Sequence, residues 1–294
     1  MTKWTIDTLR ALDRKYAAVG VHLHQRPFRA ATDIFGAAFS MGVGGNPEVK
    51  KIMTAYEEMI PEVNSSWPGM GIGLVAAVDQ VRKVTVPVIF GEVTLQIWRA
   101  LGFTNDREWW SWCREDQLIA AETSFAYADV HDLTNGLSEL RGGVGADLEL
   151  WQMATSNLAD AANNLPTAFS VDSVLQPICM TIELSLKAAL VRNGADPNSF
   201  KGPAGHDLGK LTDRLSAETP HCDDARIREV VGHMPPYVAS RYKPAGLSRL
   251  DVVRLALGAQ FVAAATVRRF SERDLAAEME SGGWPAPRPP QFPA

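Results

Sequence analysis

The sequence predicts an all-α protein built from two helical domains. Nearly every patterned segment repeats its apolar residues at three- and four-residue steps, as one buried face of a helix requires. Proline and glycine fall mostly between these segments, where helices begin and end. Of the 294 residues, 46% are hydrophobic and 21% are charged, which suits a globular core and excludes a disordered chain.

The first half of the chain is predicted to be a series of helices. The apolar face of the first helix is formed by Ile6, Leu9, Leu12, Tyr16 and Val19. Further helices are expected at 27–41, 46–60, 70–85 and 88–101, and a long one begins at 105 or 106. The segment Gly69-Met-Gly-Ile-Gly73 is interpreted as a loop that enters a helix. The β-branched segment 84–90 is also compatible with a short strand, although no partner strand is evident.

The best candidate for a domain boundary is the segment 135–145, which contains four glycines in eleven residues. We therefore predict an N-terminal helical domain over 1–135, a glycine-rich linker over 136–146 and a second helical domain over 147–277. Helices of the second domain are expected at 148–164, 171–193, 207–217, 223–232 and 247–277. A mobile tail is predicted over 278–294, because residues 282–294 include five prolines in thirteen positions.

Charge and cysteine usage exclude several classes of protein. The net charge of −5 rules out a global basic field, so any site for a polyanion has to be local. The three cysteines, Cys113, Cys179 and Cys222, lie far apart and form no C-x-x-C pair. This spacing argues against a disulfide framework and a zinc site, and it favours reduced, buried thiols. We therefore expect no metal and no cofactor.

The expected location is the cytoplasm, without membrane contact. The N-terminal segment has no basic region followed by an unbroken apolar run, so it does not resemble a signal peptide. The most apolar stretches, 71–78 and 84–90, are closely flanked by charge. Both are far shorter than the roughly 18 residues that a membrane span needs.

Four elements of the second half recur together in a known family. They are Ile182-Glu-Leu-Ser-Leu-Lys-Ala-Ala-Leu190, then Gly205-His-Asp-Leu-Gly-Lys-Leu211, then Tyr237-Val-Ala-Ser-Arg-Tyr-Lys-Pro244, and a final long helix from Leu247. In this order and spacing they resemble HEPN domains, over about residues 147–276. The resemblance implies an up-down helical bundle that faces a second copy in a homodimer. It also suggests a nucleotidyltransferase-like protein partner.

The second element carries two candidate ligand-binding residues, His206 and Asp207. They stand at the expected start of a helix, where Asp207 is able to cap backbone N–H groups and a phosphate would also be favoured. His206 has two alternatives, a structural hydrogen bond or a ligand contact. Glu183 and Lys187, four residues apart with the acid first, form either a structural ion pair or a ligand contact.

The third element places Arg241, Tyr242 and Lys243 on one short turn. Two cations and an aromatic ring are suited to holding a phosphate and stacking on a base. The alternative is a tyrosine buried against the last helix, with solvated cations beside it. From Arg226 to Arg273 there are nine Lys or Arg residues against three acids, so the region is locally basic.

Many HEPN proteins are metal-independent ribonucleases with an Arg-x4–6-His signature. Arg228-Glu-Val-Val-Gly-His233 matches that spacing, and the resemblance would make His233 the proton-transfer group and Arg228 the phosphate-neutralising group. Glu229 would oppose phosphate binding. We therefore predict a non-catalytic, dimeric nucleotide- or RNA-binding protein. One alternative is a HEPN ribonuclease of the toxin or defence type. Another is an interaction scaffold that uses the tryptophans at 109–112.

Overall fold

The computed structural model describes residues 4–40, 46–63, 71–86, 94–140, 145–236, 245–283 and 285–292. The fold is mainly α-helical, which confirms the predicted class, and it includes one β-hairpin. The chain divides into two compact units, Met1–Pro68 and Gly69–Ala294.

The first unit is a small helical cluster. Its helices are α1 (Ile6–Ala18), α2 (Arg26–Phe35) and α3 (Pro47–Met59). The Thr5 side chain accepts a hydrogen bond from the Thr8 backbone N–H at the start of α1, and Asn46 caps α3 in the same manner. Helices α1 and α3 lie close to their predicted positions because their caps and apolar faces are local features of the sequence. Helix α2 ends at Phe35 and not at the predicted position 41, because Gly36 leaves the helical conformation with φ of 51°.

The second unit contains the rest of the described chain. Its elements are β1 (Gly71–Ala77), β2 (Gln80–Val86), α4 (Ile97–Ala100), α5 (Asp106–Trp112), α6 (Gln117–Leu140), α7 (Ala146–Asn164), α8 (Leu175–Arg192), α9 (Leu208–Glu218), α10 (Asp224–His233), α11 (Arg249–Arg268) and α12 (Leu275–Gly282). Helices α6, α7, α8 and α11 pack around one apolar core that also includes Trp151 and Phe261. The five helices predicted beyond residue 147 are all present, although α11 ends before the predicted position 277.

The prediction of a helix over 70–85 is wrong, because this segment forms the antiparallel hairpin β1–β2. Strand β1 lies directly on α6: a Cβ atom on Gly71 would fall 1.8 Å from Thr134 Cγ2, and one on Gly73 would fall 2.2 Å from Val130 Cγ2. These glycines are therefore required for close packing rather than for a loop. The strand suggested at 84–90 is present up to Val86, and its partner is β1. Residues 87–90 lie outside the described part.

A side chain pairs with the backbone of β1 where a further strand would otherwise lie. Gln260 of α11 accepts a hydrogen bond from the Leu74 backbone N–H at 2.8 Å and donates to the Leu74 carbonyl at 3.0 Å. The same amide donates to the Ala126 carbonyl on α6 at 2.7 Å. Gln260 is fully buried, so these bonds satisfy backbone groups that water does not reach. One residue thus joins β1, α6 and α11.

The hairpin turn is strained. Val78, the first residue of its two-residue loop, has φ of 61°, a value that β-branched residues rarely adopt. Arg249 of α11 donates to the carbonyl of Asp79 at 3.2 Å and to that of Pro166 at 3.3 Å. These bonds anchor the turn to the helical core and help to hold Val78 in its unfavourable conformation.

The predicted linker at 136–146 is not where the compact units divide. Helix α6 continues to Leu140, and α7 begins at Ala146 within the same unit. Residues 69–135 therefore belong with the second half of the chain and not with a domain over 1–135. The reason is that one α6 face is covered by α11, α7 and β1, contacts that local glycine content does not reveal.

The predicted mobile tail is also corrected by the structure. Residues 275–282 form α12, and residues 285–292 lie against the helices. Arg288 pairs with the buried Asp129, Gln117 donates to the carbonyl of Pro285, and Phe292 stacks on His233 at 4.0 Å. Prolines keep this segment extended, but its side chains dock it on the core. We call residues 285–292 the docked tail.

Arg268, near the end of α11, is the centre of a buried ion network. Its guanidinium lies 2.7 Å from Asp129 and 2.7 Å from Asp132, both on α6, and its side chain is 2% exposed. Asp223 beside α10 and Asp274 at the start of α12 lie 3.6 and 3.4 Å away. Burial would lower the pKa of Arg268, but Asp129 and Asp132 outweigh it and raise that pKa. Arg268 therefore ties α6, α10 and α12 to α11.

Two segments of the described chain are long and apolar enough to cross a membrane, Val171–Arg192 and Arg249–Arg268. In both, 78% of the apolar window is buried inside the protein. Their apolar composition is therefore accounted for by the core that they form. Of the three free cysteines, Cys113 and Cys179 are buried as predicted, whereas Cys222 is exposed.

We predict that Gly73→Ala lowers the free energy of unfolding by about 1–3 kcal/mol, because the added methyl group overlaps Val130 and Gln260. Urea denaturation measures the change. Gly282→Ala is the control, since open space surrounds that position. An unchanged Gly73→Ala protein would show that β1 does not pack on α6 in this manner.

We predict that Asp132→Asn costs about 3–5 kcal/mol at neutral pH, because it leaves Arg268 without one of its buried partners. Burial would raise the pKa of Asp132, but the His131 ring, Arg268 and the Leu275 backbone N–H lower it. Its stabilising effect is therefore present above the pKa of an unfolded aspartate, about 3.9, and is lost as the pH falls further.

Stability measured from neutral to acidic pH tests this assignment. The parent protein should lose more stability on acidification than Asp132→Asn does. The exposed substitution Asp160→Asn should follow the parent curve. Equal losses in the parent and in Asp132→Asn would contradict the role given to Asp132.

Candidate functional site

The predicted residues His206 and Asp207 line a cavity of about 510 Å³ between α8, α9 and α10. We call it the α8–α9 pocket. Its lining residues are Cys179, Glu183, His206, Asp207, Leu208, Gly209, Val231, Gly232, Met234, Pro235 and Pro236. Glu183 and the start of α9, which are 23 residues and more apart in the sequence, thus meet at one site.

Glu183 provides a buried negative charge at the base of this pocket. It lies on α8, whose other inward-facing residues are mostly apolar, and it is 5% exposed. Lys187, one helical turn later and equally buried, donates to the Glu183 carboxylate at 2.6 Å. A buried carboxylate is costly unless it is paired, so this ion pair is structural, as one of the two sequence interpretations proposed.

The same carboxylate holds His206. The Nδ1 atom of His206 lies 3.0 and 3.1 Å from the two Glu183 oxygens. An ionised carboxylate only accepts hydrogen bonds, so Nδ1 carries the proton and Nε2 is left for a ligand. The His206 side chain is 49% exposed. The Nδ1 atom of the ring is therefore held by the buried Glu183, while the opposite edge, with Nε2, is available to a ligand.

Gly205 allows His206 to reach this position. A Cβ atom at Gly205 would fall 1.9 Å from the carbonyl oxygen of Phe200, so a larger residue would push the two backbone segments apart. The Gly-His-Asp order of the sequence thus has a geometric explanation: glycine for close approach, histidine for the pocket and aspartate for the helix cap.

Asp207 caps α9, as the sequence predicts. Its carboxylate accepts a hydrogen bond from the Lys210 backbone N–H at 3.1 Å, and that bond is the main reason why the pKa of Asp207 is lowered. The Gly209 backbone N–H contributes as well. The protein's own carboxylate therefore occupies the helix start where the sequence suggested a phosphate. The Lys210 and Gly209 backbone N–H groups are therefore already paired within the protein and are not free for a ligand anion.

The remaining pocket wall is apolar. It consists mainly of Leu208, Val231, Met234, Pro235 and Pro236. Cys179 also lines the pocket, but burial, with the nearby Glu183 charge, raises its pKa to about 12. The thiol therefore stays protonated at neutral pH. It lines the pocket as a neutral group and does not act as a nucleophile.

The candidates Arg241, Tyr242 and Lys243 lie outside the described residues. The chain enters that segment directly from the pocket wall, at Pro236.

The ribonuclease candidates Arg228 and His233 have separate partners within one chain. The Arg228 side chain lies 3.4 Å from Asp213, whereas the ring of His233 stacks on Phe292 of the docked tail. Five residues along a helix correspond to a rotation of about 140°, so the two side chains leave α10 in different directions. The Arg-x4-His spacing therefore does not produce a shared active-site face on this helix.

The tryptophans at 109–112 contribute mainly to packing. Trp109 is 2% exposed and donates to the Thr123 hydroxyl at 3.3 Å. Trp110 and Trp112 are partly buried against the same cluster, where the guanidinium of Arg82 lies 3.9 Å from the Phe103 ring centroid. These contacts support the core interpretation more than an exposed partner surface.

No family model, curated protein or solved structure matches this chain. The resemblance to HEPN domains therefore rests on the four sequence elements.

Sequence reasoning missed the apolar pocket wall and the anchoring of His206 by Glu183. A signal was present, because Glu183 and Lys187 are charged residues within an otherwise apolar helix. The identity of their third partner depends on how the chain returns from α8 to α9, which local pattern does not show.

We predict that Glu183→Gln lowers the free energy of unfolding by about 3–5 kcal/mol, because Lys187 would remain buried without its counter-charge. Urea denaturation at neutral pH measures the loss. The control is Asp7→Asn, which breaks an exposed pair with Arg10 and should cost at most about 1 kcal/mol. Similar small costs in both variants would contradict the structural role of the Glu183–Lys187 pair.

Proposed function

We propose that this protein binds a nucleotide or RNA without catalysing its cleavage, and that the α8–α9 pocket is the binding site. The observation that carries the proposal is the exposed edge of His206, fixed by the buried Glu183 and facing an apolar wall. This combination offers one polar contact of defined direction beside a surface on which a base is able to rest.

The size and charge of the pocket support this assignment. Its volume of about 510 Å³ lies within the range of roughly 300–1,000 Å³ that is common for small-molecule sites. Lys187 offsets the charge of Glu183 at the base of the pocket. Along the sequence, Arg241 and Lys243, the cations predicted to bind a phosphate, follow Pro236 within seven residues.

The chemistry of the described residues favours binding over cleavage. Cleavage at a ribose 2′-hydroxyl needs a proton-transfer group and a cation that act on the same phosphate. On α10, Arg228 is paired with Asp213 and His233 is stacked on Phe292. By the HEPN resemblance we further propose a cytoplasmic homodimer with a nucleotidyltransferase-like partner.

Binding of 5′-nucleoside monophosphates by calorimetry, and of labelled single-stranded RNA by fluorescence polarisation, tests the proposal. We expect His206→Ala to weaken binding at least about fivefold, since the hydrogen bond between the ring Nε2 and the ligand is lost. His22→Ala in the first unit is the matched control and should bind as the parent does. Binding that His206→Ala leaves unchanged would place the ligand elsewhere.

A metal-free RNA cleavage assay with His233→Ala separates the alternatives. We expect no cleavage by the parent protein or by the His233→Ala variant. Cleavage that His233→Ala abolishes would establish the ribonuclease and overturn the non-catalytic proposal. Absence of both binding and cleavage would favour the interaction scaffold.

A further inference from the structure

A second cavity lies between α6 and α11, beneath the docked tail. Its volume is about 160 Å³, similar to the roughly 150 Å³ of an engineered cavity that holds benzene. Helices α6 and α11 form its sides, the hairpin turn forms one end, and Pro289, Pro290 and Gln291 cover it. We call it the tail pocket.

Two opposite charges line the tail pocket without being paired to each other. Glu122 projects from α6 and Arg254 from α11. Among the described residues, no ion pair joins them, and neither side chain has a hydrogen-bond partner. Burial raises the pKa of Glu122, which Arg254 partly opposes. A carboxylate and a guanidinium thus line one small cavity without a direct hydrogen bond or ion pair between them.

The other charged groups of this cavity are already satisfied. Asp129 binds Arg268 at 2.7 Å and also pairs with Arg288. The guanidinium of Arg288 lies 4.6 Å from the Phe261 ring centroid and 5.4 Å from that of Phe125. These residues hold the docked tail in place as a cover. Glu122 and Arg254 also line the tail pocket, but they do not take part in this network.

The strained residue of the hairpin lines the same cavity. Val78, with φ of 61°, forms part of the wall together with Phe125 and Leu257. Strained non-glycine residues occur preferentially at binding sites, where the surrounding structure maintains them. This observation is independent of the two charges and points to the same place.

We propose that the tail pocket binds a small zwitterion of the amino-acid class. Glu122 would accept hydrogen bonds from its ammonium group, and Arg254 would bind its carboxylate, in the bidentate manner that arginine favours. An apolar side chain would lie against Val78, Phe125 and Leu257. The binding step involves no covalent change. The tail pocket is separate from the α8–α9 pocket, so the amino-acid proposal does not depend on the nucleotide proposal.

Calorimetry and thermal melting of the full chain with L-alanine, L-valine and L-leucine test the proposal. At least one of these amino acids should bind and raise the melting temperature. Butylamine and butyrate, each of which carries only one of the two charges, should bind at least about tenfold more weakly. Absence of binding by all three amino acids at millimolar concentration would overturn the proposal.

Substitutions identify the site. Glu122→Gln and Arg254→Gln should each weaken amino-acid binding at least about tenfold. The exposed substitutions Glu272→Gln and Arg107→Gln, which make the same chemical changes elsewhere, should leave it unchanged. Binding that survives both pocket substitutions would contradict the assignment.

Conservative variants guard against loss of folding. Glu122→Asp and Arg254→Lys retain the charges, and circular dichroism shows whether each variant is folded. Both should bind more tightly than the corresponding glutamine variants. His206→Ala should leave amino-acid binding intact, which distinguishes this site from the α8–α9 pocket.

Discussion

The second unit depends on one buried cation. Arg268 sits at the end of the apolar helix α11 and contacts carboxylates from three other parts of the chain. A desolvated guanidinium is tolerated only when carboxylates surround it, so α6, α10 and α12 have to meet at that point. Arg288 extends the network to the docked tail through Asp129. The network thereby holds α12 against α11 and holds the docked tail over the tail pocket.

Each pocket contains a charged residue that lies on a mostly apolar helix, as Arg268 does on α11. In the α8–α9 pocket, Lys187 satisfies Glu183, and Glu183 in turn orients His206. In the tail pocket, neither Glu122 nor Arg254 forms a side-chain hydrogen bond or ion pair with another residue of the described chain. This difference is why we propose a ligand with one directed contact for the first pocket and a ligand with two opposite charges for the second.

Elements stabilised by contacts between residues close in the sequence were predicted, whereas elements stabilised by contacts between distant residues were missed. The caps Thr5, Asn46 and Asp207 are visible locally, and the helices that they begin were predicted. The hairpin was missed because its glycines serve the packing of β1 on α6. The stabilising partner of β1 is Gln260, which lies 186 residues away from Leu74. No pattern within a single segment carries that information.

By itself, the sequence determined the mainly helical class, most helix positions and the nearness of His206 and Asp207 to a helix start. These follow from apolar periodicity and capping, which act over a few residues. Tertiary structure decided where the units divide, that the proline-rich tail docks, and which charges remain available. Those outcomes depend on which buried groups find partners, because an unpaired buried charge costs more than any local preference supplies.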